Sequence, residues 1–425
     1  MSQSAGSYNP FTLKTLSAIG LVSFFCTSLH ADWPAFRGPQ RDGIVRDQDV
    51  PTKWSQDENI QWRTELPGEG WSSPVTDGRR IYLTAAVPQD ADSDETAFDL
   101  CLIVVDAESG AVVRREAIFV QPADAPSIHK KNSHASPTPV IVGERVVVHF
   151  GHQGTACTNL AGDLLWKNDS LPYKPVHGNG GTPAIVDELV IFSRDGGNTA
   201  VVTALDIESG QVAWEVERDV EASKKFSFCT PLVANLNGRN QLILPGSNVV
   251  QSLDPATGSE IWRLRYDGYS VIPRPIVDSG LVFVATGYNQ PSLLAIDPSG
   301  SGDVTETHLK WSVRTSIPHT PSLIALGGRV TMVSDKGIAS CLDSKTGDQA
   351  WKLRIGGNFS ASPLLAKDKL YLLSEQGKCS IVDLSAERPE IVATNDIGER
   401  TLASFAVLEN TLLLRSDEAL YRIHR

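Results

Sequence analysis

Asp206-Ile-Glu-Ser-Gly-Gln-Val-Ala-Trp214 recurs along the chain as Asp254-Pro-Ala-Thr-Gly-Ser-Glu-Ile-Trp262 and Asp343-Ser-Lys-Thr-Gly-Asp-Gln-Ala-Trp351. A further copy, Asp106-Ala-Glu-Ser-Gly110, has Arg114 in place of the tryptophan. Looser copies run from Asn159 to Trp166 and from Asp297 to Trp311, the second carrying six residues more than the Asp-to-Trp spacing of eight. The common form is D-x-x-[ST]-G-x-x-x-W. Its chemistry is local: an Asp that opens a turn accepts backbone N–H bonds from residues two or three further on, Ser or Thr adds a hydroxyl, and Gly takes the left-handed conformation that closes a hairpin. The chain then returns as a strand, and a Trp early in that strand is placed to cover the seam with a neighbouring sheet. Asp206, Gly210, Trp214, Asp254, Gly258, Trp262, Asp343, Gly347 and Trp351 therefore read as structural docking residues.

Between the turns stands a second recurring feature, a Ser-Pro or Thr-Pro step followed by an apolar strand, a short polar turn and another β-rich strand. Copies occur at Ser73-Pro74, Ser136-Pro137, Thr182-Pro183, Thr230-Pro231, Thr320-Pro321 and Ser362-Pro363, with Arg274-Pro275 and Ser404-Phe405 as degenerate members. Subtracting successive positions from Pro74 to Phe405 gives intervals of 63, 46, 48, 44, 46, 42 and 42 residues. Such intervals hold four strands of about five residues with their turns, which is one propeller blade. The reading is all-β: a single eight-bladed β-propeller of four-stranded antiparallel blades over residues 59–425, preceded by an N-terminal arm at 32–58. The long first interval contains the acidic stretch Asp90 to Glu95 and the segment Pro122 to Asn132, read as inserted loops. No outer-strand motif follows Leu420-Tyr-Arg-Ile423, and Asn59-Ile-Gln-Trp-Arg63 supplies the missing strand, which closes the ring and removes a sheet edge.

Composition agrees with a turn-rich β fold: the 425 residues contain Gly 34 and Pro 25 but only Met 2, with 41% hydrophobic residues. A net charge of −12 without a basic run excludes a nucleic-acid surface, which needs clustered Lys and Arg facing phosphate. Lys14, the apolar stretch Leu16 to Leu29 and the small residue Ala31 before Asp32 and Trp33 read as an export signal spanning 1–31. Phe24 and Phe25 before Cys26 are unlike the small residues of a lipid-anchor site, and no later segment is long and apolar enough to span a membrane. The expectation is a single-chain propeller, periplasmic or secreted. Cys101, Cys157, Cys229, Cys341 and Cys379 show no C-x-x-C spacing and read as buried thiols, Cys157 and Cys341 at equivalent strand positions.

With these repeats the chain resembles the PQQ-like β-propeller repeat proteins of the quinoprotein alcohol dehydrogenase-like superfamily. Trp33-Pro-Ala-Phe-Arg-Gly-Pro-Gln-Arg-Asp-Gly43 is similar to the entry segment of their exported members, and the D-x-x-[ST]-G-x-x-x-W turn to their tryptophan-docking motif. The resemblance implies the fold over nearly all of the chain after residue 31. For function it implies two alternatives: a non-catalytic scaffold of the BamB-like kind, or a dehydrogenase using PQQ and calcium. The sequence departs from the dehydrogenase pattern, since no two Cys are adjacent and no acidic calcium loop is present; Asp195-Gly-Gly-Asn198 reads as a tight turn. No metal site is assigned. Motifs for a nucleophile elbow, a zinc helix, a P-loop or a dinucleotide fold are likewise absent.

In a propeller the loops that enter the innermost strands crowd one face, so residues just ahead of each Ser/Thr-Pro step converge. That rule selects Trp71, Asn132, His134, His177, Asn179, Phe228, Arg274, His319 and Phe359. Together they suit an anionic or aromatic small molecule, with Arg274 as its charge partner. The same residues also have a structural use, the polar ones capping a neighbouring blade's backbone and the aromatic ones packing between blades. The leading expectation is thus a non-catalytic binding or scaffold propeller for a protein or small ligand, and the alternative a quinone-dependent oxidoreductase with its cofactor in the central funnel.

Overall fold

The computed structural model describes residues 33–93, 96–386 and 388–425. The expected export segment and the end of the Asp90 to Glu95 stretch lie outside the described residues. Eight sheets follow one another along the chain and close into a propeller. Blade 1 consists of Val75–Thr76, Arg80–Pro88, Phe98–Asp106 and Val112–Gln121, from the axis outward. The same four-strand order runs from Val140–Val142 to Leu164–Asn168 in blade 2, from Ala184–Val186 to Val212–Glu217 in blade 3, and from Leu232–Leu236 to Glu260–Arg265 in blade 4. Blades 5, 6 and 7 run from Ile276–Asp278 to Leu309–Val313, from Ile324–Leu326 to Gln349–Arg354, and from Leu364–Ala366 to Glu390–Asp396. The one helical segment among the described residues is a short 3-10 turn at Gly151–Gln153, and no helix there is long and apolar enough to cross a membrane.

The two middle strands of a blade are covered on both faces and so are nearly continuously apolar, whereas the outer strands alternate between half-buried and exposed positions, as in Val212–Glu217 and Gln349–Arg354. Blade 8 takes three strands from the C-terminus, Ala406–Leu408, Thr411–Arg415 and Ala419–Ile423, and its outer strand from the other end of the chain: Ile60–Glu65 pairs antiparallel with Ala419–Ile423. The insertion that follows Asp297 has its own use. Gly302–Asp303 adds in parallel to the outer edge of blade 4, opposite Trp262 and Arg263.

At the recurring turn the Asp206 carboxylate accepts the Ser209 backbone N–H at 2.8 Å and its hydroxyl at 2.6 Å, while Gly210 adopts φ +70°. The tryptophan that covers this turn comes from the preceding blade. Trp166 lies over Gly210, and its indole N–H donates to the Ile207 carbonyl at 2.8 Å. Trp62 on Ala107, Trp214 on Pro255 and Trp311 on Ser344 repeat the bond at 3.1, 3.2 and 3.1 Å. Opposite each indole the neighbouring strand carries a small residue, Cys157 for Trp166, Ala204 for Trp214 and Cys341 for Trp351, which leaves room for the ring. In blade 4 the insertion changes the link: Trp262 donates to Gln241 at 2.9 Å, and Gln241 in turn reaches the Pro298 carbonyl at 3.4 Å.

The arm enters the channel before it supplies the closing strand. Trp33 exchanges two backbone bonds with Thr76 of blade 1, the Pro34 carbonyl accepts the Ile141 N–H of blade 2 at 2.7 Å, and Ile44–Val45 pairs in parallel with Leu364–Ala366 of blade 7. Residues 33–45 thus cross the axis. Further on, Trp54 stacks on Tyr371 and meets Phe405 edge-on, so the arm belongs to the core shared by blades 7, 8 and 1.

Candidate functional site

Loops entering the innermost strands surround a funnel of about 720 Å³, within the size range of small-molecule sites. Its floor is a ring of hydroxyls. The Ser73 backbone N–H donates to Thr138 Oγ1, Thr138 to Thr182, and Thr182 to Thr230, each at 3.0 Å. Around the other side Arg274 donates to Ser322 and Ser322 to Ser362, both at 3.0 Å, then Ser362 to Ser404 at 2.9 Å and Ser404 back to Ser73 at 3.1 Å. The ring corrects the phase of two repeats: in blade 2 the equivalent step is Thr138-Pro139, not Ser136-Pro137, and in blade 6 it is Ser322-Leu323, two residues beyond Thr320-Pro321. Arg274 is the one member without a hydroxyl. Phe36 of the arm also lines the funnel, closing the channel beneath it.

Six rings from successive loops form an arc on the wall. His129 meets His177 at 5.9 Å between centroids, His177 meets Phe226 at 5.3 Å, and Phe226 meets Tyr269 at 5.6 Å. Tyr269 continues to Tyr288 at 5.9 Å and Tyr288 to His319 at 5.1 Å. Trp71 lines the funnel from the blade 1 loop, with the Arg400 guanidinium 5.2 Å from its ring centre. Lys224 lies 4.2 Å from the Tyr269 centroid, a favourable contact of cation and ring. Lys131 is paired with Glu375 at 2.6 Å, and Asp335 accepts the His319 backbone N–H at 2.7 Å. Lys131, Lys224, Lys336 and Arg400 thus stand against Asp335 and Glu375, a positive mouth on a chain whose net charge is −12. Burial and the neighbouring His177 hold His129 below the usual imidazole range. Two ring nitrogens in this lining, the donor Trp71 Nε1 and His319 Nδ1, are buried without a hydrogen-bond partner.

Of the residues expected at the funnel, Trp71, Asn132, His177, Phe228 and His319 line it. The other four are elsewhere. His134 packs on Phe98 at 5.3 Å, and Asn179 donates to the Phe150 carbonyl at 3.1 Å and accepts from the Tyr173 hydroxyl at 3.0 Å. Phe359 is 1% exposed in the core between blades 6 and 7. Arg274, expected as the charge partner of a ligand, is 3% exposed and donates instead to the Arg41 carbonyl of the arm at 2.9 Å. Lys224 and Lys336 take its place at the mouth. Lys224, Phe226 and Tyr269 stand two to five residues ahead of the selected positions, in loops whose length hid them. Tyr288, Asp335 and Lys336 come from turns between the second and third strands of blades 5 and 6, a loop class that no Pro step marks.

The donor set does not fit a calcium–quinone centre. Calcium takes about six to eight oxygens, several from carboxylates. The funnel offers Asp335, held by His319, and Glu375, held by Lys131 and Ser360. No group of three or more His, Cys, Asp or Glu among the described residues is disposed to hold a metal.

Comparison with known proteins bears on this geometry at two levels. The family model described as outer membrane protein assembly factor BamB matches residues 101–352 and 306–392, overlapping as repeats do. No curated protein matches the chain. Among solved structures, BamB from Moraxella catarrhalis is similar at TM-score 0.58 and 16% identity, over 86% of this chain and 99% of that one. Quinohemoprotein alcohol dehydrogenase from Comamonas testosteroni is similar at TM-score 0.64 and 11% identity, over 92% of this chain and 80% of that one. At such identities the two structures share the propeller architecture with this chain.

Proposed function

The chain belongs to the family of outer membrane protein assembly factor BamB, and from that premise we propose that it is an exported, non-catalytic binding propeller whose funnel holds a ligand on the propeller axis. The observation that carries this reading is the pair of unpartnered ring nitrogens, Trp71 Nε1 and His319 Nδ1, in a blind cup with an aromatic wall and a hydroxyl floor. Buried polar groups are nearly always hydrogen-bonded, so a cup that leaves two ring nitrogens unbonded, one of them the Trp71 N–H, is shaped for an acceptor-bearing group from outside the chain. The aromatic side chains of the wall favour a flat apolar face and the lysines a negative charge. The ligand class is therefore a planar, acceptor-bearing anion, free or carried on a partner. Export through the segment ending at Ala31 puts the protein in the periplasm or beyond it.

The test is calorimetric titration of the chain from Trp33 onward with anilinonaphthalene sulfonate, a flat aromatic anion, as the probe. One-site saturable binding is expected, weakened about tenfold, or about 1.4 kcal/mol, by Phe226→Ala and by Tyr269→Ala. Binding at many sites, or binding indifferent to both substitutions, overturns the funnel as the site. A parallel titration with PQQ and calcium separates the quinone-dependent alternative: calcium-dependent binding together with alcohol-dependent dye reduction makes that reading the better one.

A further inference from the structure

Three arginines meet beneath the hydroxyl floor, none of them lining the funnel. Arg37 and Arg41 belong to the arm, and Arg274 takes the ring position that Ser or Thr holds in the other blades. The Arg37 guanidinium donates through Nη2 to the Asp42 carbonyl at 2.6 Å, and the Arg274 guanidinium through Nη1 to the Arg41 carbonyl at 2.9 Å. The two groups thus grip consecutive carbonyls of one tight turn. Arg37 and Arg274 are 2% and 3% exposed, yet Nε and Nη1 of Arg37 and Nε of Arg274 have no partner. The Arg41 guanidinium makes no hydrogen bond or ion pair among the described residues.

Asp42 is the acid beside this cluster, and its carboxylate is already engaged, by the Ile44 N–H at 3.0 Å and by Arg46 at 2.5 Å. Burial, with repulsion from Arg41 and Arg37, brings the Arg274 guanidinium down to about 9, and burial brings Arg37 down to about 10. Buried cations are ordinarily paired, because losing hydration costs more than isolated hydrogen bonds return. Water could satisfy the free N–H groups but leaves the mutual repulsion in place; an anion answers both. Planar guanidinium forks suit small anions, oxyanions above all.

We infer that Arg37, Arg41 and Arg274 form a binding site for a small inorganic anion, which ties the arm to blade 5. Because Phe36 adjoins Arg37 and lines the funnel, the anion also holds the funnel floor in place. This site stands independently of any ligand in the funnel.

The experiment compares melting temperature in sodium gluconate with that in chloride, sulfate or phosphate at matched ionic strength, for the chain from Trp33 onward. A saturable rise is expected with at least one of the three small anions, half-complete at or below about 10 mM; general salting effects do not saturate in that range. Arg274→Ser, which supplies the hydroxyl missing from the floor and so preserves the fold, removes the rise, as does Arg41→Gln at the less buried corner. Identical melting in all four salts, or a full rise retained in either variant, overturns the site.

Discussion

At the scale of single residues, two positions bind one blade to the next. The Arg218 side chain, which follows the outer strand of blade 3, reaches into blade 4, donating to the Leu244 carbonyl at 2.7 Å and to Gln251 at 3.0 Å, and pairs with Asp195 at 2.6 Å where both side chains are 1% exposed. Burial pushes the Asp195 carboxyl up to about 6 against the pull of Arg218. A carboxyl raised in the folded state contributes stability that is full below its unfolded value of about 4 and is lost as pH rises through about 6. Arg218→Met leaves that carboxyl without its cation, so the loss is expected to reach about 3–5 kcal/mol at pH 7.5 and to be smaller at pH 5, where Asp195 carries a proton. Urea midpoints at the two pH values check the sign, and an equal or larger loss at pH 5 refutes it. The second position is Gly210. A Cβ there meets Trp166 Cε3 at 2.4 Å and forces a side chain into φ +70°, so Gly210→Ala is expected to cost about 1–3 kcal/mol of unfolding free energy, read from the same denaturation curves.

Among the elements, the N-terminal arm and the strand after it have separable tasks. Ile60–Glu65 completes blade 8, with Trp62 fastened to Ala107 of blade 1 and Arg63 bonded to Glu399 at 2.9 Å and to Tyr421 at 3.0 Å. Residues 33–45 instead fill the channel below the floor. A chain beginning at Ile60 keeps the closure and is expected to fold with a lowered melting temperature and a funnel open at its base. A chain beginning at Leu66 exposes the edge of Ala419–Ile423 and is expected to lose cooperative unfolding and to aggregate. Calorimetry on the two truncations distinguishes the roles, and equal melting temperatures would show that the outer strand does not close the ring.

For the whole molecule, closure makes the eight blades one cooperative body that needs no covalent cross-link. Cys101, Cys157, Cys229, Cys341 and Cys379 are all buried and unpaired, and burial raises the Cys157 and Cys229 thiols to about 12. Such thiols are protonated and shielded, hence poor nucleophiles. For the chain from Trp33 onward the expectation is a single melting transition unmoved by reductant, with no thiol reacting with a disulfide reagent in the native state and all five reacting in guanidinium. A transition that shifts with reductant would mean that some of these thiols are paired.

Sequence by itself determined the blades, because everything that defines one is local. An Asp reaching a Ser three residues on and a Gly in the left-handed region act within one hairpin, and the Ser/Thr-Pro steps with their two degenerate members show the eightfold recurrence before any contact between blades is considered. It also placed Asn59 to Arg63 as the closing strand, because the last blade lacked one. Only the tertiary structure decided which way the loop residues turn. Arg274 stands just before a Pro, as Ser73, Thr182 and Thr230 of the ring do, but the arm, 233 positions earlier in the chain, occupies the channel beside it and offers the carbonyl that its guanidinium takes. Phe359 turns into the core, where the Asp335 carbonyl accepts its backbone N–H at 3.1 Å. Tyr288 and Lys336 reach the funnel from turns that the repeat leaves free in length and composition. The direction of a side chain at the axis depends on what fills the axis, and that is set by a segment far away in sequence and close only after the ring has closed.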